Sequence, residues 1–209
     1  MKTNAKLRID ELIKRYPELN PCYNEIINSV ELLIKSYKNG GKVLVCGNGG
    51  SASDSLHIVG ELMKSFKLKR PISKELREKI NDDELSNALE MGLPAISLVS
   101  EVALTTAYSN DKIPSAVFAQ GVLGYGKKGD VLISISTSGN SKNCVDAVKV
   151  ANALGIHTIA LTGKKDSLLS ELSEITIKAT STETFKIQEL HLPIYHAICL
   201  ALEEEFFGE

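Results

Sequence analysis

The spacing of apolar residues along the chain predicts two kinds of segment. Residues 7–38 carry apolar side chains at helical spacing and are divided by Pro17 and Pro21, which predicts two amphipathic helices that end before Asn39-Gly40-Gly41. Beyond them, short apolar runs rich in β-branched residues alternate with further helical patterns. The predicted strands cover residues 42–46, 93–99, 129–135, 156–161 and 175–179, and the later helices cover 102–108, 115–124 and 184–206.

Strands that alternate with helices predict a parallel sheet with helices on both faces. We therefore expect an α/β protein, an αβα sandwich of the flavodoxin-like or Rossmann-like type, with a helical region at 1–40 and a long C-terminal helix. At 209 residues the chain suits one domain, predicted to span 1–209. The stretch 67–92 is highly charged and poor in apolar residues, so we interpret it as an insertion into this pattern.

Composition and charge argue against several functional classes. The chain has 24 basic and 26 acidic residues and a formal net charge of -2, which offers no basic excess for nucleic acid or a membrane surface. No window approaches the ~18 apolar residues of a membrane span, and the N-terminus has no apolar stretch of signal-peptide length. The four cysteines form no CxxC pair, which is typical of buried reduced thiols. We expect a soluble cytoplasmic protein with neither a nucleic-acid nor a membrane partner.

Two loops share one pattern, since each follows a predicted strand and opens a predicted helix. The first, residues 47–54, reads GNGGSASD, and the second, residues 136–141, reads STSGNS. Ligands of parallel sheets bind beyond the carboxyl ends of the strands, so we expect both loops to face one crevice. A helix N-terminus offers unpaired N–H groups and a partial positive charge, and the hydroxyl groups add donors. The pair of loops therefore predicts a phosphate site.

Two other interpretations of these loops stay open. Each loop alone is equally consistent with a tight turn that ends in a serine N-cap. The sequence GxGG from Gly47 also resembles a dinucleotide-binding turn, with Ala52 at the sixth position, which the looser form of that motif allows. However, the basic residues 67–70 stand where an acidic ribose partner is expected, which makes the dinucleotide site the weaker alternative.

One pair of candidate acid–base groups follows the first loop. His57 and Glu61 are four residues apart on the predicted helix, so they project from the same face. Such a pair can share a metal ion, or place a carboxylate beside an imidazole for proton transfer. The alternative is an ordinary surface ion pair.

The C-terminal helix carries a second group of polar candidates. Pro193 lies among them and predicts a kink in this helix, because proline removes a backbone donor. Spacing alone does not say which of these side chains face the crevice, and each is equally consistent with a satisfied interface residue. The candidates are Gln188, Glu189, His191 and His196.

The motifs, in their order along the chain, resemble those of the sugar isomerase (SIS) domain family, and more narrowly those of the phosphoheptose isomerases. They are CGNGGSASDSLH at 46–57 followed by Glu61, ND at 110–111, ISTSGNS at 135–141, LTG at 161–163 and IQELHLPIYH at 187–196. The similarity extends over nearly the whole chain except about residues 67–92. It implies a homotetrameric enzyme that converts D-sedoheptulose 7-phosphate to D-glycero-D-manno-heptose 7-phosphate through an enediol.

The resemblance also implies the roles of particular residues. Glu61 and His196 match the catalytic carboxylate and imidazole of the family. Zinc, one ion per subunit, is implied at His57, Glu61, Gln188 and His196. The implied substrate-binding residues are Asn48, Gly49, Gly50, Ser51, Glu61, Asn110, Asp111, Ser136, Thr137, Ser138, Ser141 and Gln188. One position departs from the family pattern, because Phe185 stands where an aspartate is common, and this puts one contact with the sugar hydroxyls in doubt.

Other functions stay open at this stage. An isomerase or epimerase of another phosphorylated ketose would keep the mechanism and change the substrate. A non-catalytic SIS protein is less favoured, because relatives of that kind lack the carboxylate and the final histidine that Glu61 and His196 supply here. A sugar-phosphate regulator usually adds a helix-turn-helix module, for which the region before Gly40 leaves little room.

Overall fold

A five-stranded parallel sheet forms the centre of the protein in the computed structural model, which describes all 209 residues. The strands are β1 (Val43–Gly47), β2 (Ala95–Ser97), β3 (Val131–Ile135), β4 (His157–Thr162) and β5 (Ile175–Lys178). Their order is β2-β1-β3-β4-β5, and every neighbouring pair is parallel. This is the strand order of flavodoxin-like sheets, so the expected fold class is confirmed.

Ten α-helices surround the sheet, including the predicted N-terminal pair and the long C-terminal helix. They are α1 (Thr3–Arg15), α2 (Tyr23–Lys38), α3 (Gly50–Met63), α4 (Lys74–Ile80), α5 (Asp83–Ala88), α6 (Val102–Asp111), α7 (Val117–Tyr125), α8 (Lys142–Ala153), α9 (Leu168–Leu172) and α10 (Thr184–Phe207). Short 3-10 turns lie at Pro17–Cys22 and Pro114–Ala116. α10 continues through Pro193, and the kink expected there stays a prediction. No helix combines the length and the apolar character that crossing a membrane requires.

Several predicted boundaries shift by a few residues, and two of these shifts have a clear physical reason. α3 begins at Gly50, inside the stretch expected to be loop, because the N–H of Ser51 already bonds the carbonyl of Asn48 at 3.0 Å and starts the first turn directly after β1. β2 covers only Ala95–Ser97 of the predicted strand at 93–99, because it lies at the edge of the sheet and pairs with β1 alone over those residues.

The side chains of each strand alternate between two apolar layers. Val43 and Val45 of β1 pack in the layer formed with α1, α2, α3 and α10, whereas Leu44 and Cys46 pack in the layer formed with α7 and α8. Burial on both faces explains why the strands read as continuous apolar runs. All four cysteines are buried and form no disulfide, as predicted.

The charged stretch at 67–92 lies in a surface excursion between α3 and β2. It contains the short helices α4 and α5, in which only Ser86 is buried. An isolated antiparallel bridge between Pro71 and Glu90 closes its base, and the N–H of Met91 donates to the carbonyl of Arg70 at 2.6 Å. The excursion is therefore exposed over most of its length and fastened at its base.

Arg70 ties the base of this excursion to two helices and is only 1% exposed. Its guanidinium donates to the Glu203 carboxylate of α10 at 2.9 Å and to the carbonyl oxygens of Leu62 at 2.8 Å and Glu61 at 3.2 Å. Glu203 also accepts the backbone N–H groups of residues 66–68 at 2.8–3.0 Å. The buried ion pair is thus well supplied with hydrogen bonds, and it satisfies carbonyls at the end of α3 that the helix itself leaves unpaired.

We expect Arg70→Met to lower the free energy of unfolding by about 3–5 kcal/mol, because it leaves the Glu203 carboxylate buried without its partner. Urea denaturation measures this change. Arg77→Met is the matched control, since Arg77 lies partly exposed on α4 beside Asp83, and it should change the free energy of unfolding by less than about 0.5 kcal/mol. Equal effects of the two substitutions would contradict the role of Arg70.

Candidate active site

The first and third strands lie side by side, and this brings the two glycine- and serine-rich loops together. Gly47, the last residue of β1, is in register with Ile135, the last residue of β3. β2 and β4 flank this pair on opposite sides, which makes it the switch point where such sheets bind ligands. The side chain of Asn48 in the first loop exchanges hydrogen bonds of 2.9 and 2.8 Å with that of Asn143, which lies in the first turn of α8 directly after the second loop.

Backbone N–H groups in both loops are left without acceptors. In the first loop those of Gly49 and Gly50 make no hydrogen bond within the chain, and Gly49 has a φ of +56°, which L side chains rarely adopt. In the second loop those of Thr137, Ser138 and Ser141 are also unpaired. Gly49, Gly50 and Ser141 lie at the N-termini of α3 and α8, where the helix dipole is positive, and Thr137 and Ser138 lie in the loop just before α8. The loops therefore suit a phosphate monoester.

The serines of the second loop form a hydroxyl cluster rather than a cap on α8. Ser141 occupies the N-cap position, but its hydroxyl makes no bond to the helix backbone and lies 3.0 Å from the Ser136 hydroxyl. The Ser138 hydroxyl lies 3.4 Å from that of Ser136. A cavity of about 250 Å³ opens beside this loop, lined in part by Lys164 and Lys165. The serine N-cap alternative therefore does not describe this loop.

His57 and Glu61 face each other on α3, as their four-residue spacing predicted. Nε2 of His57 lies 3.3 Å from Oε1 of Glu61, and Nζ of Lys64 lies 3.2 Å from Oε2. The Glu61 side chain is 12% exposed and that of His57 is 42% exposed. The carboxylate is thus held between two nitrogen atoms with little access to solvent, in a position to exchange a proton with a bound ligand.

His196 of α10 packs against this pair. Its ring centroid lies 4.9 Å from that of His57, in a nearly perpendicular arrangement, and 5.3 Å from that of Phe66. The Nε2 atom of His196 is buried and has no hydrogen-bond partner. Burial and the nearby His57 hold the pKa of His196 below its usual value, so this ring is neutral at pH 7 and can accept a proton.

Gln188 and His191 of α10 face different surroundings. Gln188 lies against the first loop, since a Cβ atom added at Gly50 would come within 2.5 Å of the Gln188 amide nitrogen. His191 is fully buried, and its Nε2 lies 3.1 Å from the carbonyl oxygen of Thr162 in β4. Burial lowers the pKa of His191 to about 4. His191 therefore has a structural role between α10 and the sheet.

Asn110 and Asp111 end α6, and within one chain the structure does not join them to either loop. The Asn110 amide donates to the Asp111 carboxylate at 2.9 Å, and neither side chain makes a hydrogen bond with a loop residue. α6 has no buried residue. These two candidates therefore stand apart from the loop cluster in the single subunit.

The residues expected to bind zinc are partly assembled. Two ligand atoms each about 2.0–2.1 Å from a tetrahedral zinc ion lie about 3.3 Å apart, which matches the 3.3 Å between His57 Nε2 and Glu61 Oε1. The unpartnered Nε2 of His196 is a further suitable donor beside them. No three His, Cys, Asp or Glu side chains are close enough together to hold a metal ion. The donor types of His57, Glu61 and His196 fit zinc, whereas Gln188 lies beside Gly50, at the opposite end of α3 from Glu61, and does not reach this pair within one chain.

Three residues of this region were not predicted as site residues: Asn143, Asp54 and Tyr195. Asn143 connects the first turn of α8 to the first loop through the bonds described above. The Tyr195 hydroxyl donates to Asp54 at 3.2 Å and lies 3.0 Å from Nδ1 of His57. Asp54 precedes His57 by three residues on one helix, which is a usable signal. The contact with Tyr195 joins two helices that are distant in sequence, and no spacing rule predicts it.

Comparisons with known proteins identify the family. The family model described as SIS domain matches residues 18–163. The chain is 41% identical to phosphoheptose isomerase 2 of Campylobacter jejuni, over 85% of this chain and 78% of that protein. It is 40% identical to the phosphoheptose isomerase of Clostridium acetobutylicum, over 90% and 86% of the two chains. The solved structure of a phosphoheptose isomerase from Francisella tularensis matches with a TM-score of 0.77 at 30% identity, over 93% of this chain and 94% of that one.

The chain belongs to the phosphoheptose isomerases of the SIS domain family. This membership confirms the family that the motifs predicted and identifies the chain as a phosphosugar isomerase. One departure from the family pattern is now placed in the structure. Phe185 lies in the first turn of α10, three residues before Gln188, and is 56% exposed. An aromatic ring at this position cannot accept a hydrogen bond from a sugar hydroxyl as an aspartate would.

Gly50→Ala tests the contact between the first loop and Gln188. The added Cβ comes within 2.5 Å of a flexible amide, so we expect the amide to move and the fold to persist. The displaced Gln188 amide should then lose one neutral hydrogen bond to a bound phosphorylated ketose. This loss should raise the dissociation constant of the ketose roughly 2- to 12-fold, equivalent to about 0.5–1.5 kcal/mol. Isothermal titration calorimetry measures the dissociation constant.

Gly60→Ala is the matched control on the same helix. A Cβ added at Gly60 meets nothing within 4 Å. This substitution should leave the dissociation constant unchanged and stabilise α3 by up to about 1 kcal/mol, because alanine is the better helix former. An equal loss of affinity in both variants would mean that the effect comes from the helix and not from Gln188.

Proposed function

We propose that this chain converts D-sedoheptulose 7-phosphate to D-glycero-D-manno-heptose 7-phosphate. The observation that carries the proposal is the combination of unpaired N–H groups at two adjacent helix N-termini with the cluster of His57, Glu61 and His196. The first feature suits the phosphate of the sugar, and the second suits proton transfer. The printed names of the relatives, phosphoheptose isomerases, support a seven-carbon sugar phosphate as the substrate.

The proposed mechanism moves protons without a change in the carbon skeleton. The Glu61 carboxylate removes a proton from C1 of the ketose, and the electron pair of that C–H bond forms the C1–C2 double bond while O2 takes the negative charge, which gives the enediolate. His196, neutral at pH 7, accepts the proton of the O1 hydroxyl and passes it to O2, so the charge moves to O1. Glu61 then returns its proton to C2 as the double bond between C1 and O1 forms, which gives the aldose with all protons accounted for.

The proposal includes zinc as a cofactor, one ion per subunit, at His57, Glu61, Gln188 and His196, with Gln188 supplied by a neighbouring subunit because it lies beside Gly50, far from Glu61 of its own chain. It is supported by the 3.3 Å between His57 Nε2 and Glu61 Oε1 and by the buried Nε2 of His196 that has no partner. When bound, zinc would polarise the carbonyl group of the sugar as a Lewis acid. With Nε2 of His196 and Oε1 of Glu61 bound to zinc, the proton-transfer roles assigned above would fall to Nδ1 of His196 and Oε2 of Glu61.

The length of α3 separates the phosphate loops from the catalytic carboxylate within one chain. Gly50 and Glu61 are eleven residues apart on this helix, about 16 Å along its axis. An extended heptose phosphate is shorter than this from its phosphorus to its carbonyl carbon. The proposal therefore places each substrate between the loops of one subunit and Glu61 of a neighbour in a homotetramer. Val102 and Ile113, 68% and 64% exposed, offer apolar surface for subunit contacts.

Glu61→Gln should lower kcat for sedoheptulose 7-phosphate about 10²–10⁴-fold, because an amide cannot accept the carbon-bound proton. Formation of the aldose followed by NMR measures kcat, with zinc supplied or chelated. Glu31→Gln is the control, since Glu31 is an exposed carboxylate on α2, and it should retain full turnover.

Three results of this assay would change the proposal. Full activity in Glu61→Gln would remove Glu61 from the mechanism. Turnover that survives complete chelation would remove zinc from it. Inactivity of the folded, unsubstituted chain toward sedoheptulose 7-phosphate, together with activity on another ketose phosphate, would transfer the same mechanism to that sugar.

Mixed oligomers test whether the site is shared between subunits. Ser141→Asp places a negative charge in the phosphate loop, and Glu61→Gln removes the base, so each variant alone should be inactive. Coexpression should restore a fraction of the activity, because some sites then combine an intact loop with an intact carboxylate. If each site lies within one chain, no activity returns. Light scattering should give a mass four times that of the 22.7 kDa chain.

A further inference from the structure

We infer that the Tyr195 hydroxyl, held by Asp54, fixes the tautomer of His57 and so positions His57 Nε2 as a bare acceptor toward Glu61. This makes Tyr195 a positioning residue for the acid–base site of the proposed function, on which the inference rests. Tyr195 lies buried on α10, directly before His196. Its hydroxyl connects Asp54 and His57, which are one turn apart on α3.

The direction of these hydrogen bonds follows from the number of hydrogen atoms available. A phenol carries one hydrogen, and a carboxylate can only accept. The Asp54 carboxylate is the stronger of the two possible acceptors because it is charged, so we assign the hydrogen of Tyr195 to Asp54 Oδ1, at 3.2 Å. Only lone pairs then remain for His57 Nδ1, at 3.0 Å. Nδ1 of His57 must supply the hydrogen of that second bond. In a neutral imidazole the other nitrogen, Nε2, is then without a hydrogen.

The tautomer decides what the His57–Glu61 pair can do. With the hydrogen on Nδ1, Nε2 and Glu61 Oε1 are two acceptors that face each other at 3.3 Å, an arrangement that favours a metal cation between them. With the hydrogen on Nε2, the imidazole would instead donate to Glu61, and the pair would satisfy itself. Tyr195 therefore prevents His57 from donating to Glu61 and leaves both acceptor atoms available to a metal cation.

A second histidine of the chain provides an internal reference. Nε2 of the buried His191 lies 3.1 Å from the carbonyl oxygen of Thr162, which can only accept, so His191 carries its hydrogen on Nε2. His57 and His191 are therefore expected in opposite tautomers within one protein. The two forms are distinguished by the chemical shifts of their ring nitrogens.

The first test is ¹⁵N NMR of the metal-free protein labelled at histidine, with the His57 signals assigned by their loss in His57→Gln. We expect His57 in the Nδ1–H form and His191 in the Nε2–H form. Tyr195→Phe should move His57 toward the Nε2–H form and leave His191 unchanged. The inference is overturned if His57 has the Nε2–H form in the unsubstituted protein, or keeps its tautomer in Tyr195→Phe.

Asp54→Ala gives the same test without a change at Tyr195. Without its acceptor, the Tyr195 hydroxyl is free to donate to Nδ1 of His57, so the Nε2–H form should again gain population. This second variant decides the question if Tyr195→Phe does not fold, as judged by circular dichroism. A His57 tautomer that does not respond in a folded Asp54→Ala protein contradicts the inference.

The second test is zinc affinity, measured by competition with a chromophoric chelator. Tyr195→Phe should weaken zinc binding about 10- to 100-fold, the usual effect of losing the group that orients a metal-binding histidine. Tyr23→Phe is the matched control, because Tyr23 also donates to a carboxylate, that of Asp10 at 2.8 Å, at a site on other helices. Equal affinities in the two variants would contradict the inference.

The two readouts separate this inference from the proposed function. If the unsubstituted protein binds no zinc, the metal part of the proposed function fails, and the NMR comparison of the metal-free proteins still decides the role of Tyr195. If zinc binds but His57 does not have the expected tautomer, the proposed function stands and the inference fails.

Discussion

The parallel pairing of β1 with β3 is the constraint on which the rest of the site depends. The two strands are buried on both faces and are in register from Val43 with Val131 to Gly47 with Ile135, so a slip of one residue would turn every side chain to the wrong layer. Because both strands end at the same level, α3 and α8 begin side by side and direct their unpaired N–H groups to one region. A chain with net negative charge can therefore hold an anion with its backbone.

α3 carries both the candidate phosphate-binding groups and the candidate acid–base groups on one rigid helix. Its first turn carries the unpaired N–H groups, and its last two turns carry His57 and Glu61. The guanidinium of Arg70 holds the carbonyl of Glu61 and, through Glu203, the helix that bears His196. The two helices that carry the proposed proton-transfer groups are thus held together by one buried ion pair, whose disruption leaves an uncompensated charge. The ion pair between Arg70 and Glu203 therefore limits movement of the Glu61 carboxylate relative to the His196 imidazole.

The sequence predicted the features that depend on local pattern. Strands buried on both faces read as apolar runs, glycine and serine marked the two loops, and the four-residue spacing of His57 and Glu61 placed them on one face. It could not predict contacts between distant segments. Arg70 reads as part of a solvated charged stretch, yet its partner Glu203 lies 133 residues away. The first turn of α3 was also missed, because consecutive glycines are typical of loops, whereas here the end of a buried strand fixes them in a helix start.

The identity of the sugar depends on fewer side chains than the chemistry does. Backbone N–H groups recognise any phosphate monoester, and a carboxylate with a neutral imidazole serves any carbonyl group beside a hydroxyl, so neither selects a seven-carbon chain. Selection must come from contacts with the middle hydroxyls and from the distance between phosphate and carbonyl. Phe185 offers no hydrogen-bond acceptor for a sugar hydroxyl. Gln188, which lies near it on α10 and contacts the first loop, is the polar side chain that can make such a contact. If each site is shared between two subunits as proposed, the distance from the loops of one subunit to Glu61 of its neighbour determines the length of sugar phosphate that fits.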